Sequence, residues 1–121
     1  MAIPITIADD STMSRRAVRR ALPPEWDVTV HEAQNGLEAL QAYEEGKAEV
    51  LFLDLTMPEL DGYGVLEYLH STQAKCIVIV ISADIQPIAQ ERVAKLGAFR
   101  FLKKPLVAEE LKETLKEVGL I

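Results

Sequence analysis

The sequence predicts a doubly wound α/β domain, an open parallel sheet of five strands with helices covering both faces. Three observations carry that prediction. Short apolar runs alternate with stretches of helical period from one end of the chain to the other. The runs are continuously apolar and rich in β-branched residues, as strands covered on both faces are. No repeat, low-complexity segment or apolar stretch of membrane-spanning length interrupts the pattern. Strands joined by helices form right-handed βαβ units, and such sheets bind ligands outside the carboxyl ends of their strands, so the chemistry is expected there.

The elements follow in order. IPITIA (3–8) reads as the first strand, and the helix after it, 12–22, is stopped by Pro23 and Pro24. VTVHEA (28–33) leads to a helix over 36–45 that Gly46 closes, and VLFLD (50–54) leads to one over 62–70. In the connection before that third helix, Pro58 pre-sets a turn, Asp61 can cap, and Gly62 can take a backbone conformation that other residues resist. CIVIVIS (76–82) precedes a helix over 85–96 followed by Gly97, and FRFLK (99–103) precedes the last helix, 107–118. Val107 stands at that helix's N-cap, where Asp, Ser or Thr is preferred, at a cost of about 1 kcal/mol.

Composition sets the class. With 121 residues, 49% of them hydrophobic and 26% charged, the chain fits one domain, 1–121, with a core of its own. The single cysteine, Cys76, cannot form an internal disulfide and heads an apolar run, where a buried thiol in a reducing, cytoplasmic setting is expected. No membrane insertion and no signal peptide are expected. A net charge of −6 argues against direct nucleic-acid binding. Arg15, Arg16, Arg19 and Arg20 are the local exception; their i,i+4 like-charge pairs weaken an isolated helix, and the cluster reads as a solvated face or as a docking patch for an acidic protein surface. His31, on a strand expected near the sheet edge, and His70, at a helix end, read as structural, and Trp26 as cover for a core edge.

The strand ends carry the chemistry. The first run ends in Asp9 and Asp10 and the third in Asp54, so three carboxylates converge if those strands are neighbours. Converging like charges raise one another's pKa unless a cation shares the site, and hard oxygen ligands suit Mg2+. An Asp-Asp pair by itself reads more readily as a turn or cap. The fourth run, however, ends in Ser82-Ala83 and the fifth leads into Lys104-Pro105. A carboxylate nucleophile, a metal, an ammonium and a hydroxyl on one rim suit the formation of an acyl phosphate on Asp54. Ser82 alone would pass for a cap and Lys104 alone for an exposed lysine; the agreement of four strand ends makes the case.

On these residues the chain resembles the receiver domains of two-component response regulators over essentially its whole length. The resemblance rests on Asp9-Asp10, Asp54 with LTMPELDG through Gly62, Ser82-Ala83, and GAFRFLKKP from Gly97 to Pro105. It implies a flavodoxin-like (βα)5 fold with strand order 2-1-3-4-5. It implies phosphorylation of Asp54 by a histidine kinase or phosphotransfer protein, and a downstream target protein or fused output domain. Asp10 would bind Mg2+ directly, Asp9 partly through water, and the backbone carbonyl of Thr56 would be a further ligand. Lys104 would contact the phosphoryl oxygens, Ser82 would follow the phosphoryl group, and Phe101 would act as a rotameric gate that changes the surface of the fourth helix, fifth strand and fifth helix. Such a domain catalyses its own phosphorylation and slow dephosphorylation and is not an enzyme acting on a separate substrate. Phe101 lacks the hydroxyl many members carry, and Asp84 and Thr56 occupy positions that tune acyl-phosphate hydrolysis. A chain ending soon after its fifth helix fits a free-standing receiver of the chemotaxis or phosphorelay kind, or the N-terminal piece of a longer protein. Other readings fit less well. Phosphohydrolases with an aspartyl-phosphate intermediate carry a second Asp where Thr56 stands; two carboxylates after the first strand would repel a cofactor phosphate; and Gly62-Tyr63-Gly64 lacks the third glycine of a dinucleotide loop. An interaction module independent of phosphorylation would not need all five rim residues.

Overall fold

The computed structural model describes residues 2–121. The elements are β1 (Ile3–Ala8), α1 (Thr12–Ala21), β2 (Val28–Ala33), α2 (Gly36–Glu44), β3 (Val50–Leu53), α3 (Gly62–Ser71), β4 (Ile77–Ser82), α4 (Pro87–Lys95), β5 (Arg100–Lys103) and α5 (Ala108–Glu117). All neighbouring strands pair parallel, in the order β2-β1-β3-β4-β5, so the expected doubly wound sheet is present. β1 and β3 are adjacent, the condition on which the convergence of the acidic residues depended, and β2 is an edge strand as expected for His31.

The sheet divides the core in two. On one face Ala39, Val65, Leu66, Leu69 and Val93 from α2, α3 and α4 pack against Leu51, Leu53, Val78 and Val80. On the other, Val18 of α1 and Leu111 and Leu115 of α5 pack with Trp26 against Ile5, Ile7, Phe52 and Ile79. Alternate residues of each central strand thus serve opposite faces, which is why the strands read as continuous apolar runs. Trp26 is buried, and its indole Nε1 finds no partner among the described residues.

Side chains start the first three helices. Ser11 accepts from the Ser14 amide, Asn35 from Glu38 and Asp61 from Gly64. α4 begins at Pro87, two residues later than the expected 85, because a proline's missing N–H suits the first helical position. Neither α4 nor α5 has a side-chain cap, in keeping with Gln86 and Val107 at their N-caps. Gly46 and Gly97 close α2 and α4 with φ of 76° and 94°, in the left-handed region.

Gly62 differs from expectation in its reason. Its φ is not positive; a side chain there would collide with the backbone of Asp54 and Leu55, so this glycine serves close approach. The left-handed residue of the β3–α3 loop is Glu59, with φ 68°. The Lys104–Pro105 bond is cis. Cys76 is half-buried, and burial pushes its thiol pKa up to about 12. Among the described residues no helix is long and apolar enough to cross a membrane.

Candidate functional site

Backbone hydrogen bonds carry the sheet ladder one residue past the strands and thereby place the rim. The Asp9 amide donates to Ala33, that of Asp54 to Ala8 and that of Lys104 to Ser82, each at 2.9 to 3.0 Å. One carboxylate oxygen from each of Asp9, Asp10 and Asp54 lies within 4.8 Å of the others. Asp9 and Asp54 are buried and Asp10 is exposed, so the cluster has a dry floor and an open side. The Lys104 ammonium reaches in from the far side, donating to Asp9 Oδ2 at 2.8 Å and standing 3.4 Å from both Asp54 Oδ1 and Ser14 Oγ.

The electrostatics follow. Burial, and then the negative charge of Asp9, push the Asp54 carboxyl above its ordinary pKa, with Lys104 opposing. For Lys104, burial works against the ammonium, but the hydrogen bond to Asp9 and the charges of Asp54 and Asp9 outweigh it and hold its pKa above the usual lysine value. The one ammonium reaches two of the three carboxylates, Asp9 and Asp54. Hard oxygens packed this closely, with an open side for water, fit Mg2+.

The remaining expected residues surround this centre. Ser82 is buried at the end of β4, and its Oγ accepts the Asp84 amide at 3.1 Å, which leaves its own O–H to donate. Thr56 is exposed two residues beyond Asp54, in the loop held by Gly62. Phe101 sits a little lower, opposite Val80 in the β4–β5 register and on the same face as Ser82. It is half-buried against the α2–α4 core and lines a depression of about 310 Å³ with Gln90, Val93, Ala94 and Ala98.

The arginine cluster is the main correction. Arg15 is buried, not part of a solvated or docking face: its Nε donates to Glu32 Oε1 at 2.6 Å and its Nη1 to the Asp9 carbonyl at 2.7 Å. Arg19 Nε takes the other Glu32 oxygen at 2.7 Å, so one carboxylate on β2 relieves the Arg15–Arg19 repulsion. Only Arg16 and Arg20 remain as exposed arginines without an ion pair among the described residues. The signal that could have revealed this was Glu32 itself, the acidic residue near the rim end of the strand beside β1. Sequence reasoning also missed Ser14, and a groove of about 410 Å³ between α1 and the β5–α5 loop, lined by Met13, Ala17, Ile81, Pro105 and Leu106 with Lys104 at one end.

Comparisons with known proteins bear on the family and the fold. The family model described as the response regulator receiver domain matches residues 5–116. Chemotaxis protein CheY of Listeria monocytogenes is 33% identical over 115 residues, covering 95% of this chain and 97% of that protein. Response regulator MprA of Mycobacterium ulcerans is 37% identical over 113 residues, 92% of this chain but 47% of that longer protein. Among solved structures, the receiver domain of AraT, a response regulator from Geobacillus stearothermophilus, aligns with a TM-score of 0.84 at 30% identity, covering 98% of this chain and 93% of that one.

Proposed function

This chain belongs to the response regulator receiver domain family of two-component systems, and from that premise we propose that residues 1–121 act as one cytoplasmic phosphorylation switch with Asp54 as the acceptor. The observation that carries the proposal is the Asp54 carboxylate itself, buried at the end of β3 between an acidic pair and a lysine. Asp9, Asp10 and Asp54, with the Thr56 carbonyl, would hold Mg2+. When bound, the ion neutralises phosphoryl oxygens and aligns the transfer.

An Asp54 oxygen attacks the phosphorus of a phosphohistidine on a histidine kinase or phosphotransfer protein. A P–O bond forms, the P–N bond breaks, and the released imidazole nitrogen takes a proton from water. Lys104 stands close enough to turn from Asp9 to the incoming oxygens, and the Ser82 hydroxyl donates to the same group. Slow attack of water on phosphorus returns Asp54 and inorganic phosphate. With Ser82 drawn toward the phosphoryl group, Phe101 rotates inward on the same face, and the α4–β5–α5 surface changes. This is a population shift whose size is limited by the differential contacts of the phosphoryl group. A downstream target protein or a fused output domain reads that surface, where Ile88 and Phe99 are exposed.

The donor docks over the groove beside α1, since Lys104 ends that groove and stands at Asp54, and Arg16 and Arg20 offer charge to an acidic partner. Incubation with phosphoramidate and Mg2+ followed by intact mass tests the switch. One phosphoryl group should be gained, and none in Asp54→Asn or without Mg2+. No gain by the unaltered chain would defeat the proposal.

A further inference from the structure

We infer that Arg15 is a positioning residue for the acidic rim, one that holds the β1–α1 turn in the shape cation binding requires by gripping the main chain of Asp9. The inference rests on the Mg2+ reading of the same site. The Arg15 side chain is only 8% exposed, and a buried guanidinium persists only where its donors are matched. Here its rigid fork meets three segments: Nη1 the carbonyl of Asp9, Nε the carboxylate of Glu32, and Nη2 the hydroxyl of Thr12 at 3.2 Å.

Each oxygen of Asp9 thus has one donor and keeps a free lone pair. Its carbonyl takes Arg15, its Oδ1 takes the Ser11 amide at 2.9 Å, and its Oδ2 takes Lys104. Lys104 is the contact that must be released when a phosphoryl group arrives. The Arg15 grip is on the main-chain carbonyl and not on the carboxylate, so it need not be released with Lys104. Glu32 anchors the device, because Arg19 holds its second oxygen and Arg15, foremost, keeps its carboxyl ionised below the ordinary range. With Arg15 removed, the Asp9 carbonyl lacks a donor at a buried position and the turn carrying both acidic residues is free to reorient.

Titration calorimetry of the whole chain with Mg2+ tests this, alongside urea unfolding of each variant. Asp10→Asn serves as the site control, and Val18→Ala, a core truncation on the same helix, as the stability control. Arg15→Met should stay folded and bind Mg2+ about ten- to a hundredfold more weakly, the range seen when the outer partners of metal ligands are removed. Glu32→Gln should weaken binding in the same direction by a smaller factor, and supplies the test if Arg15→Met does not fold. Val18→Ala should lose stability but keep the original affinity. Unchanged affinity in both Arg15→Met and Glu32→Gln overturns the inference, as does an affinity that falls in Val18→Ala in step with stability. Equal Mg2+ binding by the parent chain and Asp10→Asn instead overturns the cation reading, and this inference with it.

Discussion

At the scale of single residues, Asp54 and Glu32 have opposite signs. Asp54 has its folded pKa raised above the ordinary 3.8, so it favours folding most when protonated in both states, below that value. As pH rises through the folded pKa, a charge must be buried beside Asp9 and stability falls. Asp54→Asn without Mg2+ should therefore melt several degrees higher at pH 7, and the advantage should shrink as the pH falls through the raised folded pKa towards 3.8 and level off below it. An advantage that grew on acidification would refute this. Glu32, held below the ordinary 4.5 by Arg15, contributes stability above that value and loses it as pH falls through the folded pKa. Acid unfolding of Glu32→Gln should accordingly be shallower. Charge reversal should be confined to Arg16 and Arg20. With both changed to glutamate, transfer from the cognate phosphohistidine protein should slow while phosphoramidate remains effective; equal loss with both donors argues against docking there. Five rim residues were legible because each stands at the end of an apolar run. Arg15 was not, since its burial depends on Glu32, seventeen residues away and brought near only by the β1–β2 pairing.

Elements differ in how firmly they begin. α1, α2 and α3 have side-chain caps, whereas α4 and α5, which flank β5 and Phe101, have none. Amide exchange in the first turns of α4 and α5 should outpace that of the other three helices. Val107→Ser should stabilise the fold by about 1 kcal/mol, measured by urea unfolding. The β3–α3 loop is pinned from the side by α2: the Gly36 amide donates to the Leu60 carbonyl at 3.0 Å, and a side chain at Gly36 would strike that carbonyl. Gly36→Ala should cost about 1–3 kcal/mol through overpacking. Element order and type were readable because period, length and stop signals agreed. The reason for Gly62 was not, since close approach and left-handed φ call for the same residue and only the packed loop separates them.

For the whole molecule, the sheet joins two apolar layers and each depends on its own helices. Leu111, fully buried, should cost about 2–5 kcal/mol as Leu111→Ala. Strand order followed from the resemblance alone, because apolar runs reveal which segments pair only weakly. Chain direction has a practical consequence. β1 climbs to the rim from Ile3, and α5 descends from it, so Ile3 and Leu120 both pack on the α1–α5 side, at the base. A six-residue strand is about 20 Å long, and that length separates Ile3 and Leu120 from the chemistry. A biotin, fluorophore or surface linker attached at either end would hold the protein on a sensor with its rim and its α4–β5 flank facing the solution, so donor and target binding could be timed on one immobilised preparation.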